Sequence, residues 1–231
     1  MFVEALRSLP AARRTVVVAL RALTARPELS DPELTVVALD ATPPGQALSV
    51  EAALGALDDA GDIVVSACDH GIVIDPAAIA SLTASSADAA VLTMAGYPGA
   101  GRQPSAYAYV EADAADRNSF PRVRRVSVKT PISASPSRDP LLVGTFWFRN
   151  KAVLAAGLAE LKRRDRRVHG ELYLDPIVEV LASAGHDVRL VGLEGYLGWG
   201  DPDAMAETLY WRDVFCGFHA HARRRCPSLE P

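Results

Sequence analysis

Asp69 stands first among the residues able to do chemistry. It follows Asp62-Ile63-Val64-Val65-Ser66-Ala67, an apolar β-branched run of the kind that forms a strand buried on both faces. The run leads directly into Cys68-Asp69-His70-Gly71. In open parallel sheets, ligands sit outside the C-terminal ends of the strands. A lone carboxylate there suits Mg²⁺, which keeps most of its waters and takes one or two carboxylates beside substrate phosphates. The plain alternative for Asp69 is a helix or turn cap.

Other groups could join it. Pro43-Pro44-Gly45-Gln46-Ala47 is a loop before a helix. Gly45 lets backbone approach a flat ligand, and Gln46 offers donor and acceptor to a base edge. An ordinary turn would use the same residues. Lys129 ends a strand before Thr130-Pro131. It is either a point charge for a phosphate or a solvated lysine. Gly170-Glu171-Leu172-Tyr173-Leu174-Asp175 reads as a helix opening, where Glu171 and Asp175 either favour the helix dipole or bond sugar hydroxyls. His219 and His221 form H-x-H without further ligands nearby, and Arg163, Arg164, Arg166 and Arg167 read as a solvated face.

The elements that must position these groups alternate. Thr15–Leu20, Leu34–Leu39 and Ala89–Met94 are further apolar strand runs. Helices are expected over 2–9, after Gly45, and from Asp75-Pro76, where Asp caps and Pro takes the first position. This spacing implies an α/β fold, with a mostly parallel sheet and helices on both faces. The middle differs. Ala106–Val110, Val123–Lys129 and Leu141–Phe148 are strands with no helix between them, which implies a mixed-sheet extension. Asn150 caps a helix to about Arg164, a second spans about 171–184, strand Val188–Leu193 follows, and Asp201-Pro202 starts a last helix to about Phe218. Residues 1–218 form one domain and 219–231 a basic tail.

Composition agrees with a globular chain. Of 231 residues, 49% are hydrophobic and 23% charged, and the net charge of −4 gives no electrostatic case for nucleic acid. Cys68, Cys216 and Cys226 lack C-x-x-C spacing, so neither a disulfide framework nor a zinc site is indicated. No apolar run approaches the ~20 residues that span a bilayer. The first residues lack a basic region followed by an apolar one, so no signal peptide is read and a cytoplasmic location is expected.

Six segments taken in order carry a resemblance: Gly45-Gln46-Ala47, Ser66-Ala67-Cys68-Asp69, Val128-Lys129-Thr130-Pro131-Ile132-Ser133, Gly144-Thr145-Phe146-Trp147-Phe148, Gly170-Glu171-Leu172-Tyr173 and Gly200-Asp201-Pro202-Asp203. The set resembles the sugar-1-phosphate nucleotidylyltransferases (nucleotide-sugar pyrophosphorylases), closest to the capsule and surface-polysaccharide branch. It covers the chain to about Phe215. The resemblance implies a Rossmann-like fold with a sugar-binding half. It also implies a reaction that joins a nucleoside triphosphate to a sugar 1-phosphate and releases pyrophosphate. By resemblance Gly45 and Gln46 face the nucleobase, Asp69 holds Mg²⁺, Lys129 contacts the sugar phosphate, and Gly144, Glu171 and Asp175 line the sugar pocket. Self-association into a homo-oligomer is left open.

Two departures matter. The family begins with a strand and a Gly-rich, Arg-bearing loop that cradles the triphosphate, then a Pro-Lys-Pro segment. Met1-Phe2-Val3-Glu4-Ala5-Leu6 resembles the helix after those elements, so the domain reads as N-terminally incomplete. Many members also carry a second metal-binding Asp where this chain has Gly198, and Thr is replaced by Asp201. Single donors at such sites are worth about 10²-fold or more, so the transferase is expected to be impaired as written. Two other readings are a non-catalytic nucleotide-sugar binding protein and a glycosyltransferase. The second usually needs Asp-x-Asp, which Cys68-Asp69-His70-Gly71 does not supply.

Overall fold

Apolar β-branched runs become strands here, and the turn chemistry between them sets the helices. A computed structural model describes residues 1–113 and 120–225. In chain order the elements are α1 (Phe2–Ser8), β1 (Thr15–Leu20), β2 (Leu34–Leu39), α2 (Gln46–Ala53), β3 (Ile63–Ser66), β4 (His70–Val73), α3 (Pro76–Ala84), β5 (Ala89–Met94) and α4 (Pro98–Arg102). Then come β6 (Ala108–Ala112), β7 (Val123–Val128), β8 (Leu141–Phe148), α5 (Lys151–Arg164), α6 (Ile177–Ser183), β9 (Val188–Gly192), β10 (Gly195–Gly198) and α7 (Pro202–Arg225). Asp75 caps α3 by accepting from Ala77 N at 2.9 Å, and Asn150 caps α5 by accepting from Val153 N at 3.0 Å.

β8 organises the main sheet. β5 pairs antiparallel along one edge of β8, and β9 pairs parallel to β5. On the other edge, the start of β8 pairs with β6 and its end with β3, both antiparallel. β7 extends the sheet beyond β6. Thus β3, β5, β6 and β9 point one way and β7 and β8 the other, which makes the sheet mixed. Sheet residues alternate between two cores. Ala89, Val91, Phe146 and Phe148 meet Leu154 and Leu158 of α5 and Ile177 and Leu181 of α6. Ala90, Leu92, Val143 and Trp147 meet Leu82 of α3 and Ala100 of α4. The expected α/β fold with helices on both faces is the one formed.

Helices α5 and α6 approach closely at Gly157, where a Cβ would lie 2.7 Å from Ile177 Cγ1. At the other side, β1 and β2 form a separate parallel ladder. Every residue of β1, β2 and β3 is only half-buried, whereas β5 is buried from Ala89 to Thr93 and β8 at every position but Gly144. Among the described residues, the second edge of β1 and the outer edge of β3 carry no ladder. Arg13 and Arg14 reach Asp58 at 2.9 and 3.0 Å, joining the chain before β1 to the chain before β3.

Several expectations need correction. The helix expected over 171–184 is only α6, Ile177–Ser183. Glu171 instead exchanges both backbone hydrogen bonds with Val168 at 3.0 Å, and Pro176 cannot donate, so a helix starts only beyond it. Helix α2 stops at Ala53 and gives way to a 3-10 turn over Leu54–Ala56. Helix α7 passes Phe218 and runs to Arg225, and 226–231 lie outside the described residues. The antiparallel ribbon β4–β10 was not foreseen. The Arg cluster is partly tied down: Glu160 bonds Arg163 at 2.6 Å and Arg164 at 2.7 Å. Among the described residues, no helix is long and apolar enough to cross a membrane.

Candidate active site

The end of β3 is held against β8, because Ala67 N donates to Gly144 O at 3.1 Å. Gly144 has φ +77, a conformation that favours glycine at this bulge of β8. Its surroundings are Ala67 and the His70 ring, each 3.6 Å from where a Cβ would stand. Two residues beyond Ala67, the Asp69 carbonyl accepts from Trp199 N at 2.7 Å. The Asp69 carboxylate stays half-exposed and faces His70 Nδ1 at 3.6 Å. A Cβ at Gly200 would come within 3.0 Å of Asp69 Oδ2, so the glycine after Trp199 leaves room for the acid. His70 holds the Asp69 carboxyl below the usual carboxylate range, against the opposing effect of burial.

A second group gathers around Leu172 and Tyr173. Gly45 has φ +121 and opens α2, and a Cβ there would overlap the Leu172 backbone. Two backbone hydrogen bonds lock this approach: Leu172 N to Pro44 O at 3.0 Å and Ala47 N to Leu172 O at 3.2 Å. The Gly45-Gln46 loop is therefore fastened to the Glu171-Leu172-Tyr173 segment, which no local sequence signal announces. Gln46 is half-buried as the first residue of α2. Lys129 sits at φ +60 and donates from Nζ to Ala106 O at 2.6 Å. Its ammonium lies 5.9 Å from the Tyr173 ring centroid. Burial pushes the Asp175 carboxyl up to about 6, with the Lys129 charge pulling the other way. Burial and then Glu171 raise the Tyr173 hydroxyl. Lys129, Glu171 and Asp175 thus surround Tyr173, a residue that sequence reasoning gave no role. The partners found for Asp69 are His70, Trp199 and Gly200.

A cleft of about 240 Å³ opens between α4 and the start of α7, lined by Tyr97, Arg102, Tyr107, Asp201, Asp203 and Glu207. Burial pushes Tyr97 up to about 12. A Cβ at Gly198 would meet the Tyr97 and Tyr196 hydroxyls, each at 3.2 Å. Any side chain at 198, an Asp included, would press on both hydroxyls. Asp201 is engaged as a helix cap, accepting from Ala204 N at 2.9 Å. His219 and His221 lie on α7, and their side chains fall outside the described residues.

Among the described residues, no three His, Cys, Asp or Glu side chains gather into a metal cage. Asp69 alone, ionised and half-exposed, fits a cation held chiefly by water and substrate phosphates, as Mg²⁺ is. Asp69 would hold it, and the bound ion would neutralise phosphate charge.

No protein-family model and no curated protein matches the chain. Solved structures do. A nucleoside-diphosphate-sugar pyrophosphorylase from Vibrio cholerae RC9 matches with TM-score 0.59 and 20% identity, over 84% of this chain and 79% of that one. An inositol-1-phosphate CTP transferase from T. maritima gives 0.60 and 13%, over 83% and 72%. A UTP-bound UGPase from Acinetobacter baumannii gives 0.58 and 13%, over 88% and 69%. The likeness is one of fold: this chain is built as those pyrophosphorylase-like proteins are.

Proposed function

We propose that this chain is a nucleotidyltransferase-like domain that joins a nucleoside triphosphate to a sugar 1-phosphate with release of pyrophosphate, and that it is impaired as written. The observation that carries the reading is the joint between the Gly45-Gln46 loop and the Glu171–Tyr173 segment, made through Leu172. It holds the Gly45-Gln46 loop directly beside the Glu171–Tyr173 segment, which supports one site formed by both. The fold shared with the solved pyrophosphorylases supports the same assignment.

In this reading Gly45 and Gln46 meet the base, and Gly144, Glu171 and Asp175 frame the sugar. Lys129 neutralises the sugar phosphate. Asp69 would hold Mg²⁺, which would neutralise charge on the reacting phosphates. A sugar-phosphate oxygen attacks the α-phosphorus in line, and pyrophosphate leaves from the opposite side. Such a reaction depends on positioning and charge neutralisation more than on acid–base groups. Residues 1–14, ahead of β1, hold no Gly-rich, Arg-bearing loop to grip the triphosphate, and a Gly-rich run that ends in Arg, Gly96–Arg102, follows β5 instead. Among the described residues the second edge of β1 and the outer edge of β3 carry no ladder, which supports the reading of an impaired site. Polysaccharide precursor synthesis in the cytoplasm is the setting this chemistry suits.

The test is a thermal-shift panel of nucleoside triphosphates, sugar 1-phosphates and nucleotide sugars with Mg²⁺, run beside a pyrophosphate-release assay. Stabilisation by a triphosphate and a sugar 1-phosphate with slow release is the expected result. Fast Mg²⁺-dependent release would overturn the impairment. Stabilisation by nucleotide sugar alone, with no release, would favour the non-catalytic binding protein, and the absence of any shift would sink both.

A further inference from the structure

Three polar side chains stand behind Asp69 with no part in the reading above. Ser66 ends β3, His70 begins β4 and Thr145 lies within β8. His70 is 3% exposed and Thr145 is fully buried. Polar groups in such a place are costly unless hydrogen-bonded, and these bond one another. His70 Nε2 lies 2.8 Å from Thr145 Oγ1 and 3.3 Å from Ser66 Oγ. The two hydroxyl oxygens lie 2.9 Å apart.

That triangle engages one ring nitrogen only. The other, Nδ1, faces Asp69 Oδ1 at 3.6 Å. A neutral imidazole has one donor and one acceptor nitrogen. A hydroxyl can donate to Nε2, whereas an ionised carboxylate cannot donate at all. The proton therefore belongs on Nδ1, aimed at the carboxylate. Strands β3 and β8 grip the ring from behind, so its orientation is set by the sheet. Buried as it is, His70 cannot itself touch a substrate.

We propose that His70 is a positioning residue, whose Nδ1–H aims the Asp69 carboxylate at the cation while Thr145 and Ser66 hold the ring through Nε2. The proposal rests on the reading of Asp69 as a Mg²⁺ ligand. At 3.6 Å the contact is a close polar approach that a small turn of the carboxylate makes a hydrogen bond, and outer groups that orient metal ligands are typically worth about 10–100-fold in metal affinity.

The probe is Mn²⁺ with a nucleoside triphosphate, its binding to the protein read by the enhancement of water-proton relaxation. The proteins are wild type, Asp69→Asn, His70→Phe, His70→Asn and His70→Gln, each checked for a native melt. Asn places its amide donor where Nδ1 stands, and Gln where Nε2 stands. Asp69→Asn is expected to lose binding. His70→Phe and His70→Gln should weaken it about tenfold, and His70→Asn should restore most of it. A merely structural role for His70 predicts the reverse, rescue by Gln and not by Asn, and that result overturns the proposal. If His70→Phe and His70→Gln bind Mn²⁺ as wild type does, while Asp69→Asn does not, the positioning role fails and the Asp69 reading stands. Wild-type binding that is absent, or untouched by Asp69→Asn, overturns both.

Discussion

β1 and β5 are written in the same alphabet and live in different surroundings. Thr15-Val16-Val17-Val18-Ala19-Leu20 is as apolar as Ala89-Ala90-Val91-Leu92-Thr93-Met94. Yet β5 has β8 on one side, β9 on the other and helices over both faces, and all but its last residue are buried. Among the described residues β1 pairs with β2 alone, packs against α2, and is half-buried throughout. An apolar run states what environment a strand suits. Whether that environment is present depends on neighbours the run does not encode.

The comparison can be broken at its strongest side first. Phe146→Ala, in the fully buried core between β8 and α5, should cost about 3–5 kcal/mol, read as a lower urea midpoint. Gly45→Ala should cost about 1–3 kcal/mol, because an L residue is strained at that φ and its Cβ meets backbone. Val17→Ala, in half-buried β1, should cost about 1 kcal/mol or less by the same urea titration. The amides of β1 should also exchange with solvent faster than those of β5. A Val17 loss approaching that of Phe146 would mean that the open side is covered in solution. The smallest effect concerns pH. Asp175 has its carboxyl raised from 3.8 to about 6 in the fold. A raised carboxyl binds protons more tightly when folded, so stability falls as pH rises through that window. Asp175→Asn should therefore raise the melting temperature at pH 7, with the gain fading as pH is lowered toward 4.

Much of the scaffold was legible. The strand runs, the caps at Asp75 and Asn150 and the strand-end placement of Asp69 follow from local chemistry, and all appear. The site itself was legible only in pieces. Glu171 looked like a helix start because Gly170 and the acids around it suit one. The pairing with Val168 and the hold of Pro44 on Leu172 keep the segment extended instead. Tyr173 and His70 were passed over because their roles come from what packs beside them. The ribbon β4–β10 was hidden because four-residue strands containing His or Gly carry no periodic signal.

The joint between Gly45 and Leu172 has a consequence in time. Its two halves lie in opposite halves of the chain, and the contact closes a very long loop. The entropy of closure grows only slowly with loop length, but non-local contacts form late. During synthesis the Gly45 loop leaves the ribosome early and must wait, unfastened, for residue 172. The loop proposed to meet the base is thus made well before the segment that fastens it.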